Sequence, residues 1–322
     1  MKPNQIALVV TVALLAAGQV MAQSSNRGSK KSGSDGTDTG LIDSASSITV
    51  PPLRSWMSPE LGNAWRQGYQ GQGATITVID DFKSGKLLRG NLRGTTQSLH
   101  HGDWTRMQSS LVAPLATVAI QDFSATKSIA LGTGFNVLNL SYGMMGTAGL
   151  STINWSSREQ SILSYARDGR AVISKSAGND GNTVAVGQAN SSGRVDYLGR
   201  DLIGAQSAIF VGALSANGTT ASPATLASYS NIAGANTTVQ KQFLVVGVAG
   251  SKTGLYGTSF AAPIVSGYAA IVSSKFTTAT PTAVANQLLN TARQDTIRGY
   301  NPAVHGRGEA SIARALAPTA IQ

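Results

Sequence analysis

Apolar positions in this chain gather in short blocks separated by polar, glycine-containing stretches, and two of the blocks read directly as strands. Ala74-Thr75-Ile76-Thr77-Val78-Ile79 leads into Asp80, and Leu115-Ala116-Thr117-Val118-Ala119-Ile120 leads into Gln121. Short runs rich in Val, Ile and Thr predict strands with buried faces. A third block is different in kind. From Ala261 to Ser274 no residue is charged, Lys275 being the first, so the pattern predicts a helix apolar nearly all round that runs through the middle of a domain. Pro263 fits near its start, because the first turn holds N–H groups that lack internal acceptors anyway.

The entry to that helix carries candidate chemistry. Gly257-Thr258-Ser259 is a glycine-led turn. A hydroxyl at a helix start sits where backbone N–H groups and the positive end of the dipole face outward, and both favour an anion forming beside it. Ser259 is therefore a candidate nucleophile; the plainer alternative is a serine that caps its own helix. A nucleophile of this kind needs a base, and there are three histidines, His100, His101 and His305. His101 opens His101-Gly102-Asp103-Trp104, with His100 as its exposed neighbour. Upstream, Asp80 ends the first strand, where open α/β sheets place their working groups. Asp81 is the competing acid.

Composition sets the frame. The chain has 322 residues, 42% hydrophobic and 12% charged, enough for a large core in one domain plus tails. Cysteine is absent, which rules out disulfides and thiolate metal sites. Met1-Lys2, the apolar stretch Ile6 to Ala17 and the small-residue site Val20-Met21-Ala22 predict a signal peptide over 1–22, so the protein is expected to be exported, periplasmic or secreted, with no stable membrane insertion after cleavage. Residues 23–49 are rich in Ser, Gly, Asp, Lys and Thr and predict a flexible linker. The net charge is +10, and Lys83, Lys86, Arg89, Arg93 and Arg106 fall between and around the acid and histidine motifs. No aromatic residues interleave with them as a nucleic-acid surface would want, so they read as a solvated loop.

With these motifs in order, the chain resembles the subtilisin-like serine proteases, the subtilases. Gly257-Thr258-Ser259-Phe260-Ala261-Ala262-Pro263 is similar to the family's serine signature and Val78-Ile79-Asp80 to its aspartate signature. The order Asp, His, Ser is also the one that subtilisin itself carries. Ala171 to Asp180 resembles the strand that ends in the oxyanion-hole asparagine, which implies that role for Asn179. Gly134 to Gly143 resembles the strand that holds substrate, which implies contacts from Ser141, Tyr142 and Gly143, with Ser176, Ala177 and Gly178 on a pocket wall. Ile209 to Ala213, Ala227 to Ser230 and Gly306-Arg307-Gly308 agree in order as well.

The resemblance implies a three-layer α/β fold over 50–318, a mostly parallel sheet with helices on both faces, followed by a short tail over 319–322. It implies a serine endopeptidase with Asp80, His101 and Ser259 as triad, acting on protein or peptide without a cofactor; structural calcium leaves no mark in the side-chain spacing. No nucleic-acid partner is expected from the basic segment, and the sequence leaves the oligomeric state open, with a monomer as the expectation. The sequence departs from the family pattern in several places. The stretch before the domain is too short and polar for a folded prosegment, the spacing after His101 predicts a brief helix without the calcium-holding loop of many relatives, and Asp103 and Trp104 replace small residues. Lys175 is expected inside a strand, where it must either reach the surface or meet a carboxylate. The rival function is a pseudoprotease that binds protein segments in the same cleft without cutting them.

Overall fold

The computed structural model describes residues 9–11 and 49–322. The signal expected over 1–22, apart from Val9–Thr11, and the linker expected over 23–49, apart from Thr49, lie outside the described residues. Along the chain run strands β1 (Val9–Thr11), β2 (Ala74–Asp80), β3 (Leu88–Gly90), β4 (Gln97–Leu99), β5 (Thr117–Asp122), β6 (Phe135–Leu140), β7 (Gly143–Thr147), β8 (Val172–Ser176), β9 (Arg194–Asp196), β10 (Ala208–Leu214) and β11 (Phe243–Gly247). The helices are α1 (Glu60–Arg66), α2 (His101–Val112), α3 (Ser157–Arg167), α4 (Tyr197–Asp201), α5 (Thr237–Gln242), α6 (Gly250–Thr253), α7 (Ala262–Lys275), α8 (Pro281–Asn290), α9 (Pro302–His305) and α10 (Ile312–Ala315).

The first apolar block becomes β2, in the interior of a six-stranded sheet of order β11-β10-β8-β6-β2-β5. Every neighbouring pair is parallel. Parallel neighbours need long crossovers, and both faces of such a sheet are covered. Side chains alternate accordingly. Ile76, Val78, Val137, Val172 and Val211 pack in one core with residues of α1, α2, α7 and α8. Ile79, Leu138, Leu140, Ile173 and Phe210 form the other with residues of α3 and α4. This is the three-layer arrangement expected from the sequence. β5 and β6 lie on opposite sides of β2, so the strand order reverses there, and the crevice beyond its carboxyl end is the place such sheets offer to ligands.

α7 runs through one core as its apolar pattern requires, with Ala262 to Ser274 buried. It approaches α2 closely at Gly267, where a Cβ would stand 2.4 Å from Val112 Cγ1. Two buried hydroxyls near its end are satisfied within the helix: Ser273 donates to Ala270 O at 2.9 Å and Ser274 to Ile271 O at 2.7 Å. α2 itself corrects one expectation. It is not brief but fills nearly all the available chain as a 12-residue helix. The turn to β5 is tight enough to permit this, with Ala116 N–H bonded to Ala113 O at 3.1 Å. At its last turn a buried carbonyl without an intrahelical partner is met by Trp65, whose Nε1 donates to Val112 O at 3.1 Å.

A second, antiparallel sheet of order β1-β7-β9 stands beyond the end of β6. β1 falls inside the segment expected to be cleaved as a signal, and it pairs Thr11 with Gly143, Val10 with Met144 and Val9 with Met145. Among the described residues, no helix is long and apolar enough to cross a membrane.

Candidate active site

β2 delivers Asp80 fully buried to the crevice, and α2 begins there with His101, 2% exposed. His101 Nδ1 lies 2.6 Å from Asp80 Oδ1. The same carboxylate accepts from Asp81 N–H at 2.7 Å and from the Thr105 hydroxyl at 2.8 Å. Thr105 stands four residues after His101, on the same face of α2. Three donors therefore fix one buried acid, as an ionised carboxylate requires. Asp81 turns elsewhere: it accepts from the N–H groups of Lys83 and Ser84 and from the Ser84 hydroxyl. Burial pushes its carboxyl up, but these bonds outweigh that and hold it below the ordinary range. Gly102 has to be glycine, since a Cβ there would stand 2.7 Å from Asp81 O and 2.8 Å from the Phe82 ring.

Ser259 sits in the 3-10 turn Thr258–Phe260 just ahead of α7, and Gly257 before it takes φ 123°, a conformation that side chains resist. Its hydroxyl donates to Ser141 O at 3.1 Å, while the Ser141 hydroxyl donates to Ser259 O at 2.8 Å. Behind Ser141 the chain of bonds continues: Asn139 Nδ2 donates to Ser141 Oγ at 3.0 Å and Ser266 Oγ to Asn139 Oδ1 at 3.2 Å. The end of β6 is thus pinned to the serine turn and to α7. Phe260 carries the contact across to the histidine, its ring centroid 5.4 Å from that of His101. His101 Nε2 is buried and has no hydrogen-bond partner, the Ser259 hydroxyl being turned to Ser141 instead.

Asn179 follows β8 and faces the same turn. Its Oδ1 accepts from Thr258 N–H at 2.8 Å, with Thr258 Oγ1 at 3.0 Å, so the carbonyl side of the amide is anchored and Nδ2 remains as the donor side. Ser141, Tyr142, Gly143, Ser176, Ala177 and Gly178 all line one cavity of about 80 Å³, together with Asn179 and Ser259. Burial pushes the Tyr142 hydroxyl far above its ordinary value, so it stays neutral. Lys175 lines the cavity too and resolves the question posed by its burial, its Nζ lying 2.8 Å from Asp196 Oδ2.

Sequence reasoning missed Thr105, Asn139, Thr258, Ser266 and Asp196. Thr105 has a legible signal in its one-turn spacing from His101, and Asn139 in its two-residue spacing from Ser141. Asp196 has none, because only the pairing of β7 with β9 brings it near.

An acid-bound imidazole at the switch point of a parallel α/β sheet, next to a serine turn, defines a class of serine hydrolases. Within that class the chain belongs to the subtilase family of serine proteases, whose model matches residues 110–308. That span includes Asn179 and Ser259, while Asp80 and His101 precede it. No curated protein matches the chain in sequence. Among solved structures it is similar to the prenylagaramide maturation protease PagA, with 21% identity and a TM-score of 0.51, covering 80% of this chain and 98% of that one. It is also similar to a lanthipeptide protease, with 18% identity and a TM-score of 0.50, covering 81% of this chain and 93% of the other. At such identities the likeness is one of fold.

Proposed function

We propose that this subtilase is an exported endopeptidase that cuts peptide bonds through an acyl-enzyme on Ser259. The observation that carries the reading is the state of His101: clamped by Asp80 through Nδ1, it keeps a buried Nε2 free for a proton, with the Ser259 turn packed beside it through Phe260. A serine hydroxyl is a weak nucleophile until a neutral imidazole takes its proton. In the reaction Ser259 Oγ bonds to the substrate carbonyl carbon as its proton passes to His101 Nε2, and Asp80 stabilises the imidazolium without taking the proton. Asn179 Nδ2 and the Ser259 N–H donate to the oxyanion. Collapse expels the amine, which leaves with the proton from His101, and water then releases the acyl group by the same route.

The edge of β7 suits an extended substrate. Val9–Thr11 already pairs there antiparallel, and loss of residues 1–22 would leave that edge open. A peptide continued in the same register lies opposite Ser141 two residues after the position of Thr11. An amide N–H arriving at the Ser141 carbonyl would compete with the Ser259 hydroxyl and release it toward His101.

The test is covalent labelling. A fluorophosphonate probe should label the wild type and leave Ser259→Ala unlabelled; equal labelling of the variant would rule the assignment out. Export predicts a mature N-terminus at Gln23. One observation favours the rival reading, a pseudoprotease that binds segments without cutting them: Ser259 is bonded to Ser141 and not to His101. Protein that binds peptides, cleaves none and takes no label would decide for that rival.

A further inference from the structure

Lys175 is a charged member of the cavity that the proposed chemistry leaves unused. It sits on β8, four residues before Asn179, and its side chain is 1% exposed. An isolated ammonium at such a place would be strongly disfavoured. Here Nζ lies 2.8 Å from Asp196 Oδ2 and donates to Ser176 O at 2.8 Å. The other oxygen of Asp196 accepts from Met144 N–H on β7 at 2.9 Å. Two glycines leave space for this carboxylate, since a Cβ on Gly199 would stand 2.9 Å from Asp196 Oδ2 and one on Gly143 3.3 Å from it.

The pair is asymmetric toward the cavity it lines with Ser259: Asp196 is 19% exposed where Lys175 is 1%. An entering side chain meets the carboxylate in front and the ammonium behind it. The cavity of about 80 Å³ is also small. A cavity of about 150 Å³ holds a benzene ring, so one about half that size has room for roughly three non-hydrogen atoms. The direction of β1 along β7 identifies which substrate residue arrives there. Thr11 stands opposite Gly143, and the chain runs on toward Tyr142 and Ser141. A substrate bound in that sense presents the residues before the cut bond to β7, so the cavity receives the side chain on the acyl side of that bond.

We infer that the Lys175–Asp196 pair makes this cavity selective for a small hydroxyl-bearing residue, serine or threonine, immediately before the cut bond. The inference rests on hydrolysis at Ser259. A hydroxyl is small enough to enter and donates to the exposed carboxylate. An anionic side chain meets Asp196 first and is repelled. A lysine or arginine is too long for the cavity, and the carboxylate that would hold its charge is already paired with Lys175. A large apolar side chain does not fit, and it would strip water from the carboxylate without replacing the lost hydrogen bond.

The experiment uses the full chain and a set of fluorogenic peptides that differ only at that residue: Ser, Thr, Ala, Phe, Lys and Glu. Wild-type kcat/KM for Ser and Thr should exceed that for Phe, Lys and Glu by roughly ten- to a hundredfold. Lys175→Ala vacates space and leaves Asp196 unpaired, so the Lys peptide should gain at least about tenfold relative to Ser. Asp196→Ala uncovers the ammonium and should favour the Glu peptide instead. The opposite directions separate charge from simple enlargement, which would move both variants the same way. Fluorophosphonate labelling reports whether each variant is folded; if Lys175→Ala takes no label, Asp196→Ala and the wild-type profile decide. A wild type that prefers Phe, or is indifferent to this residue, overturns the inference, as do labelled variants with the wild-type profile. Failure of the proposed function looks different: the wild type then takes no label and cuts no peptide, and the selectivity claim falls with it.

Discussion

Thr105→Val is the substitution that probes the acid of the site without touching a reacting atom. Thr105 is fully buried, and its hydroxyl donates to Asp80 Oδ2 at 2.8 Å and stands 3.1 Å from Gly102 O. Valine keeps the branched shape, so the change removes one of three donors to a buried carboxylate and little else. A hydrogen bond to a charged group contributes about 1.5–3 kcal/mol, more of it felt when the partner is left buried and unsatisfied. At about 2 °C per kcal/mol for a domain of this size, Tm should fall by roughly 3–6 °C. The effect on rate follows from the task of Asp80, which is to hold His101 and stabilise its charged form. If the whole loss appeared in the transition state, kcat would fall by about ten- to 150-fold, with KM little changed because Thr105 touches no substrate. Thermal melts and steady-state kinetics on one peptide measure both, and Thr105→Ser, which restores the hydroxyl, should recover most of each. A Thr105→Val enzyme with wild-type Tm and kcat would refute the claim that this bond holds the acid in place.

Two further predictions concern the fold. Gly267→Ala drives a methyl into Val112 Cγ1, at 2.4 Å in the native geometry, and should cost about 1–3 kcal/mol by overpacking α7 against α2; adding Val112→Ala should recover part of that loss in chemical denaturation, and strictly additive losses would argue against the contact. His305 is buried, its Nδ1 accepts Asn301 N–H at 3.1 Å, and burial holds it below the ordinary histidine value of 6.5. The unfolded chain therefore binds this proton first, so the stability linked to neutral His305 is fully present above about pH 6.5 and drains away as pH falls toward the lower folded value. Tm measured from about pH 7.5 down to 5.5 should decline less steeply in His305→Asn than in the wild type, and parallel slopes would dismiss the residue as a contributor.

Much of the site was legible because its parts are local. Asp80 ends a strand whose composition marks it as buried, Ser259 opens a helix whose lack of charge marks it as central, and Asn179 closes a third block. Each lies within a few residues of the pattern that announces it. The brief helix expected after His101 failed for a tertiary reason: Trp65, far upstream, meets the last turn of α2 and lets it run to Val112. Asp81 and Asp80 are neighbours of equal chemical type, and only the direction of each side chain, outward to Ser84 or inward to His101, separates them.

The amino-acid order determined the buried strands and the central helix, since period and composition within one element are enough to say which face is buried, and its resemblance to the subtilases implied the layered α/β architecture and the three candidate working residues. What the folded chain decided is which distant groups meet: Thr105 and His101 on one carboxylate, Asn139 and Ser266 behind the serine turn, and Asp196 beside Lys175. Such meetings depend on register between strands and on the packing of helices across a sheet. A side chain's own neighbours in sequence do not encode them.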